Sequence, residues 1–319
     1  CNNYFDPLDT AAERLADTIG LPEGDAAQEL ARVLKAEHDV RVCRMEDAEA
    51  TTAMRRYDPE ARTLALSPLL DVPGRAFHMA HQIALLSYGT LLDQVIDAAR
   101  FASEDARAIC RVGLANYFAG ALLMPYTAFA AQARAVRHDV EVLQARFGVS
   151  FEQVCHRLST LQRPGQRGIP FFFVRVDMAG NITKRHSATR LRFARFGGAC
   201  PKWNIHAAFS QPGEILVQLT EMPDGGHYVS VARAVTKRGG AYLQPPRRFA
   251  VGFGCEIDHA GEIVYSEALD IQNTRAAERI GINCRLCERR DCHQRAFPPI
   301  GTRVTVDPDR RKFVPYLFR

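Results

Sequence analysis

Apolar residues recur near every 3.6 positions through the first half of the chain and near every second position beyond residue 170, so helices should give way to strands. Residues 6–50 read as helices; PLDTAAERLADTI has the helical spacing, with Asp9 or Thr10 as its cap. The stretch 61–67, ARTLALS, reads as a short strand, and a helix follows over Val72–Ser87 after Pro73-Gly74. Residues 90–133 read as two helices and 135–162 as further helix, broken at Gly148. The composition shifts at 162–170, QRPGQRGIP, a turn or linker. Beyond it FFFVRVD, EILVQLTEM, HYVSVARAV and RRFAVGFGCEI alternate as strands, with turn residues at 179–181 and 223–226. A last helical piece is expected over 270–280, before a Cys-rich stretch and a Pro/Arg-rich tail. The expected fold class is α+β: a helical unit over 1–162 and a mixed unit with an antiparallel sheet over 163–319.

Composition adds little to this: 47% hydrophobic and 24% charged residues are ordinary for a globular chain. No apolar run reaches membrane-spanning length and no signal peptide is visible, so a cytoplasmic protein with no membrane partner is expected. The chain begins at Cys1 rather than Met, which leads to the expectation of a further domain upstream. Charge matters more locally than in total. The net charge is +5, yet Met178–Gly213 contains no Asp or Glu and holds Lys184, Arg185, Arg190, Arg192, Arg195 and Lys202.

In 75–89, RAFHMAHQIALLSYG, and 114–125, LANYFAGALLMP, the sequence resembles the ImmA/IrrE-type zinc metallopeptidase domain. In that pattern two His one turn apart bind zinc beside a general-base Glu, and a second helix supplies another Glu. Here His81 keeps the first position, but Gln82 replaces the base, Leu85 the second His and Leu114 the third ligand. A neutral amide takes no proton from water and Leu binds no metal, so no catalytic residue is assigned and the protein is expected not to be an enzyme. His78 and His81 are expected to be ordinary packed histidines. The segment 145–161 has the outline of a helix–turn–helix, with Arg146, His156, Arg157 and Arg163 as possible phosphate contacts, though a packed helix pair accounts for it as well.

The acid-free block KRHSATRLRFARFGGACPKWN interleaves its cations with Phe193, Phe196 and Trp203. Guanidinium groups clamp phosphates and aromatic faces stack on bases, so Lys184, Arg185, Arg190, Arg192, Arg195, Phe196, Lys202 and Trp203 form a candidate site for coenzyme A, a nucleotide or DNA. A solvated basic strand is the plain alternative.

Three of the nine cysteines fall in Cys284-Arg-Leu-Cys287-Glu-Arg-Arg-Asp-Cys292. Two thiolates in C-x2-C reach one metal or cluster, and the x4 spacing lets Cys292 join them. Cys255, beside glycines in GFGCEIDHA, is the first choice for a fourth ligand; Cys200, His293 and His259 compete with it. Zinc and iron–sulfur both accept four thiolates. The lack of a second CxxC, and the charge of Arg285, Arg289, Arg290 and Arg295, favour the cluster.

The blocks GGACPKWN, GCEIDHA…IVYSEALD and INCRLCERRDCHQRAFPPI together resemble the short-chain fatty-acyl transcriptional regulators of actinobacteria, over residues 5–300. The resemblance implies an N-terminal helix–turn–helix for promoter DNA, absent here, an ImmA/IrrE-like middle part and a sensor domain, expected to be PAS- or GAF-like. It further implies coenzyme A or a short-chain acyl-CoA as ligand, and a 4Fe–4S cluster on Cys255, Cys284, Cys287 and Cys292. Lys202 departs from the pattern, where an apolar residue is expected. A homodimer is the usual arrangement on palindromic DNA. A repressor-cleaving peptidase and a zinc-stapled DNA- or protein-binding module are the rival readings.

Overall fold

A computed structural model describes residues 3–21, 25–46, 49, 53–194, 198–237, 246–309 and 313–318. Arg195 and Phe196 of the candidate clamp lie outside the described residues.

The helical half opens with α1 (Asp6–Thr18), whose apolar stripe Leu8, Ala12, Leu15 and Ala16 is buried. Asp9 does not cap it. Phe5 stands at the cap position with no side-chain bond, and Asp9 is fully buried on the inner face. Next comes α2 (Ala26–His38), started by the Asp25 carboxylate and stopped by Asp39 in the left-handed region at φ 54°. That stop prevents the helix from running on to residue 50. Instead β1 (Arg41–Arg44), β2 (Arg55–Asp58) and β3 (Thr63–Leu66) form a three-stranded sheet in the order β1-β3-β2. β3 is the short strand expected over 61–67, while β1 and β2, of four residues each, carry too few residues for a period to be read.

The next helix, α3 (Val72–Ser87), begins where Asp71 accepts from the Gly74 N–H. It packs beside α5 (Glu104–Leu123), with α4 (Gly89–Ala98) between them in sequence. The expected pair over 90–133 is therefore three helices, since α6 (Tyr126–Ala135) follows a 63° bend after α5. No single helix among the described residues is long and apolar enough to cross a membrane. The half ends with α7 (Val140–Phe147) and α8 (Phe151–Leu158), separated by Gly148 at φ 62° and a Ser150–Gln153 capping box.

The second half is a six-stranded sheet of β4 (Phe171–Asp177), β5 (Ile182–Ser187), β6 (Leu216–Glu221), β7 (His227–Lys237), β8 (Arg247–Glu256) and β9 (Glu278–Arg279). Its order is β5-β4-β8-β7-β6-β9, antiparallel except for β9 beside β6. The helix expected over 270–280 is absent: Thr274–Ala276 makes one 3-10 turn, and β9 follows. Only Ala277 and Ile280 are buried in this stretch, so it lacks the apolar stripe that packs a helix.

Alternation along the strands sorts the two faces. Phe171, Phe173, Val229, Val231, Val251, Phe253 and Cys255 join the helices in one continuous core that starts at Leu8. Phe172, Val174, Tyr228, Ala232 and Ala250 point the other way, onto Leu191, Cys200, Trp203 and the short helix α9 (Asn204–Ala207). Each large apolar side chain buried in these cores contributes about 1.5–3 kcal/mol. The helical half and the sheet thus share a core, and Phe151 of α8 meets Phe253 of β8 edge-on. A change in one half is felt mechanically in the other.

Candidate functional site

The peptidase-like helix pair is assembled, with its chemistry replaced. His78, His81 and Gln82 follow at helical spacing on α3. The His81 ring Nδ1 is 2.8 Å from Asn116 Oδ1 of α5, a contact that orients the ring. Gln82 is 2% exposed and its amide oxygen accepts from the Arg55 guanidinium of β2. Leu114, 3% exposed, fills the position of a metal ligand with hydrocarbon, and Leu85 packs against the core. Burial, then the Arg55 charge, lowers both imidazoles to about 4, so both rings are neutral at pH 7. Sequence reasoning named both histidines but missed Arg55, because a lone Arg on a four-residue strand carries no motif.

The helix–turn–helix outline at 145–161 is a packed pair. Phe151, Val154, Cys155, Arg157 and Leu158 of α8 are buried, so that helix presents no free face to a DNA groove. Its cations are occupied. Arg157 donates to the Asp9 carboxylate at 2.7 and 3.0 Å, Arg163 pairs with Glu13 at 2.8 Å, and Arg146 donates to Gln132.

The acid-free block meets acids from other elements. Lys184 pairs with Glu152 of α8 at 3.0 Å, Arg190 with Glu256 at the end of β8 through bonds of 2.8 and 3.1 Å, and Lys202 with Glu278 of β9. Arg185 donates to the Ala194 carbonyl. These four side chains are therefore spread over separate partners rather than gathered into one clamp. Composition could not reveal this, since all three acids lie outside Met178–Gly213. Trp203 is 5% exposed, gives its N–H to Ser230 Oγ at 2.6 Å and stacks on Phe193. Arg192 differs: it is exposed, has no ion pair among the described residues, and stands at a small apolar recess. Phe193, Trp203, Met222 and Ile280–Ile282 line that recess.

The far wall of the recess leads into the cysteine corner. A Cβ on Gly281 would lie 2.8 Å from Cys287 Sγ, so glycine is needed for the close approach. The Gly281 N–H also donates to Cys200, as does the Lys202 N–H. Cys200 and Cys287 thus sit on either side of one glycine. Burial raises the Cys200 thiol and the nearby Cys284 and Cys287 raise it further, while the two N–H groups pull it back. Cys284 Sγ accepts from the Ala296 N–H at 3.5 Å. Arg295 holds the loop from inside, donating to the carbonyls of Cys284, Cys287, Arg289 and Phe297 at 2.6–3.1 Å.

Cys255 is elsewhere. It lies in the helix-side core, whereas Cys200 lies in the core on the other face of the sheet. Burial, then Glu262 and Glu256, pushes its thiol up to about 12. By type the donors at Cys200, Cys284, Cys287 and Cys292 suit a thiolate-bound centre. Among the described residues no three His, Cys, Asp or Glu groups converge as they would on a single bound ion.

The arrangement defines a peptidase-like scaffold without peptidase ligands, fused to a sheet domain with a cysteine corner. Residues 35–159 match the IrrE N-terminal-like domain, and residues 160–316 match the short-chain fatty acyl coenzyme A regulator, C-terminal family. The propionyl-CoA carboxylase regulator of Cereibacter sphaeroides is 49% identical over 99% of this chain and 66% of its own length. From Mycobacterium tuberculosis, the HTH-type transcriptional regulator RamB is 47% identical over 99% of this chain and 67% of its own, and PrpR is 45% identical over 99% and 65%. A solved Mycobacterium tuberculosis transcriptional regulator superposes with a TM-score of 0.92 at 44% identity, covering 99% of this chain and 96% of that one. The chain belongs to the short-chain fatty acyl coenzyme A regulator family, with an IrrE-like N-terminal domain. It spans about two thirds of the length of these curated relatives.

Proposed function

We propose that this chain is the ligand-sensing region of a transcriptional regulator of short-chain fatty acid metabolism, and that it binds coenzyme A or a short-chain acyl-CoA. The observation that carries this reading is the replacement of the general base, the second His and the third ligand by Gln82, Leu85 and Leu114 on α3 and α5, in a chain whose relatives are named as regulators. Binding without turnover is what remains. Arg192, exposed at the rim of the apolar recess, is available to a phosphate of the ligand. The order of the first five strands, with the first between the second and the fifth, supports a PAS- or GAF-like sheet.

In the same reading, Cys284, Cys287 and Cys292 hold a 4Fe–4S cluster, with Cys200 as fourth ligand in preference to Cys255. When bound, the centre ties the 200–204 segment to the C-terminal loop, and its binding free energy adds to folding. Gly281, shared by the recess wall and the cysteine corner, couples the two. Promoter DNA is then the regulator's second partner, and the ligand acts by favouring one of two conformations.

Calorimetric titration with propionyl-CoA, acetyl-CoA and coenzyme A tests the proposal. Saturable stoichiometric binding of at least one supports it. Absence of binding by all three, with the protein folded and its centre intact, contradicts it.

A further inference from the structure

Among the described residues, the surroundings of α3 are rich in cations and poor in counter-charge. Arg55 is partly buried, and its hydrogen bond is to a neutral amide, that of Gln82. Lys237, at the end of β7, makes a 3.8 Å contact with Glu152, and its charge is felt by His78. Arg247 faces Lys237 across the β7–β8 pair and approaches the sulfur of Met54, next to Arg55. Glu152 already binds Arg175 at 2.9 Å and Lys184 at 3.0 Å. Among the described residues, Glu152 is the one carboxylate ion-paired to any of these five cations.

Two nitrogens are also unspent. His81 is 2% exposed, yet its Nε2 has no hydrogen-bond partner among the described residues, and the buried Nδ1 of His78 has none either. Both rings lie on the face of α3 that carries Gln82. A buried cation without a carboxylate is costly, and so is an unpartnered buried ring nitrogen. Both costs fall if an anion sits between them.

We propose that this region is an anion site for a phosphoryl group, anchored by the Arg55 guanidinium, with Lys237 as second cation, His78 Nδ1 as a hydrogen-bond donor, and His81 Nε2, whose ring proton is held at Nδ1 by Asn116 Oδ1, accepting from a protonated phosphoryl oxygen. The planar fork of Arg matches two phosphoryl oxygens. Where an active peptidase relative would hold a metal cation among carboxylate and imidazole, Leu85 and Leu114 remove two ligands, Gln82 removes the base, and Arg55 reverses the sign. The group comes either from coenzyme A or from a free phosphate; the proposal does not depend on which.

The test uses inorganic phosphate, pyrophosphate and coenzyme A on the whole chain, with Arg55→Gln and Lys237→Gln as variants. Phosphate should raise the melting temperature of the wild type saturably and broaden its own phosphorus resonance. Arg55→Gln should weaken phosphate binding about tenfold or more, and Lys237→Gln less. Without phosphate, Arg55→Gln should melt at the same temperature or higher, because it removes an uncompensated charge; a purely structural Arg would show the opposite. Competition between coenzyme A and phosphate in the wild type places the nucleotide's own phosphate here; simultaneous binding assigns a separate free anion, and either supports the site. Equal phosphate binding by wild type and both variants overturns it. If propionyl-CoA affinity survives Arg55→Gln while phosphate binding is unchanged, this site fails and the sensor reading stands. If phosphate binds through Arg55 and no acyl-CoA binds at all, the sensor reading fails and this site stands.

Discussion

The guanidinium of Arg55 donates to the amide oxygen of Gln82, the residue that stands where the peptidase pattern carries its catalytic base. That bond gives the IrrE-like half its character: a proton acceptor has become a neutral hydrogen-bond acceptor, and the neighbouring charge is positive.

The Asp9–Arg157 pair should be a main fastening of the helical half. Both side chains are at most 2% exposed, and Tyr117 also donates to Asp9. Asp9→Asn strands a buried guanidinium and should cost about 3–5 kcal/mol in urea unfolding. A loss below about 1 kcal/mol would show that the pair is idle. Burial alone would raise the Asp9 carboxyl, but Arg157 more than offsets this and holds it below the usual range. Its contribution is therefore present above the unfolded carboxylate pKa and is lost as pH falls through the lower folded value.

A second pH effect comes from the histidines. His156 of α8 and His186 of β5 meet with ring centroids 4.7 Å apart. Burial and then the nearby Lys184 lower His186 to about 4, and burial followed by His186, Lys184 and Arg157 lowers His156 further. In the unfolded chain both titrate near ~6.5, so the unfolded state binds more protons below that pH. Melting temperature should be level above pH 7 and fall from about pH 6.5 towards 4, less steeply in His186→Gln. An identical slope in the variant would exclude His186 as a source.

The cysteine assignment separates on three variants. Cys200→Ser and Cys287→Ser should each strip iron and sulfide from protein purified without oxygen, while Cys255→Ala should retain both. Loss in Cys255→Ala with retention in Cys200→Ser would restore Cys255 as a ligand.

Gly281→Ala tests the same corner without touching a thiol. Its methyl would meet Cys287 Sγ at 2.8 Å, so Cys287 must move. Iron content should fall and proteolysis of the 284–297 loop should quicken. Wild-type iron content in this variant would mean that the corner tolerates displacement.

What could be read from the chain follows from the range of each interaction. FFFVRVD is β4 residue for residue, because a strand buried on both faces announces itself locally. Gln82, Leu85 and Leu114 could be read as departures from the peptidase pattern because motif spacing is local too. The partners of Lys184, Arg190 and Lys202 could not be read, since Glu152, Glu256 and Glu278 are brought to them only by folding. The choice between Cys255 and Cys200 turned on which face of the sheet each sulfur takes, and that depends on where β8 and the 200–204 segment dock.

The most direct test of a sensor built from two halves with one core is hydrogen–deuterium exchange of the whole chain, with and without propionyl-CoA. Ligand should slow exchange at the recess, in 191–204 and 278–287, and also alter it in α3 or α8 of the IrrE-like half. Unchanged exchange throughout at saturating propionyl-CoA would contradict the account.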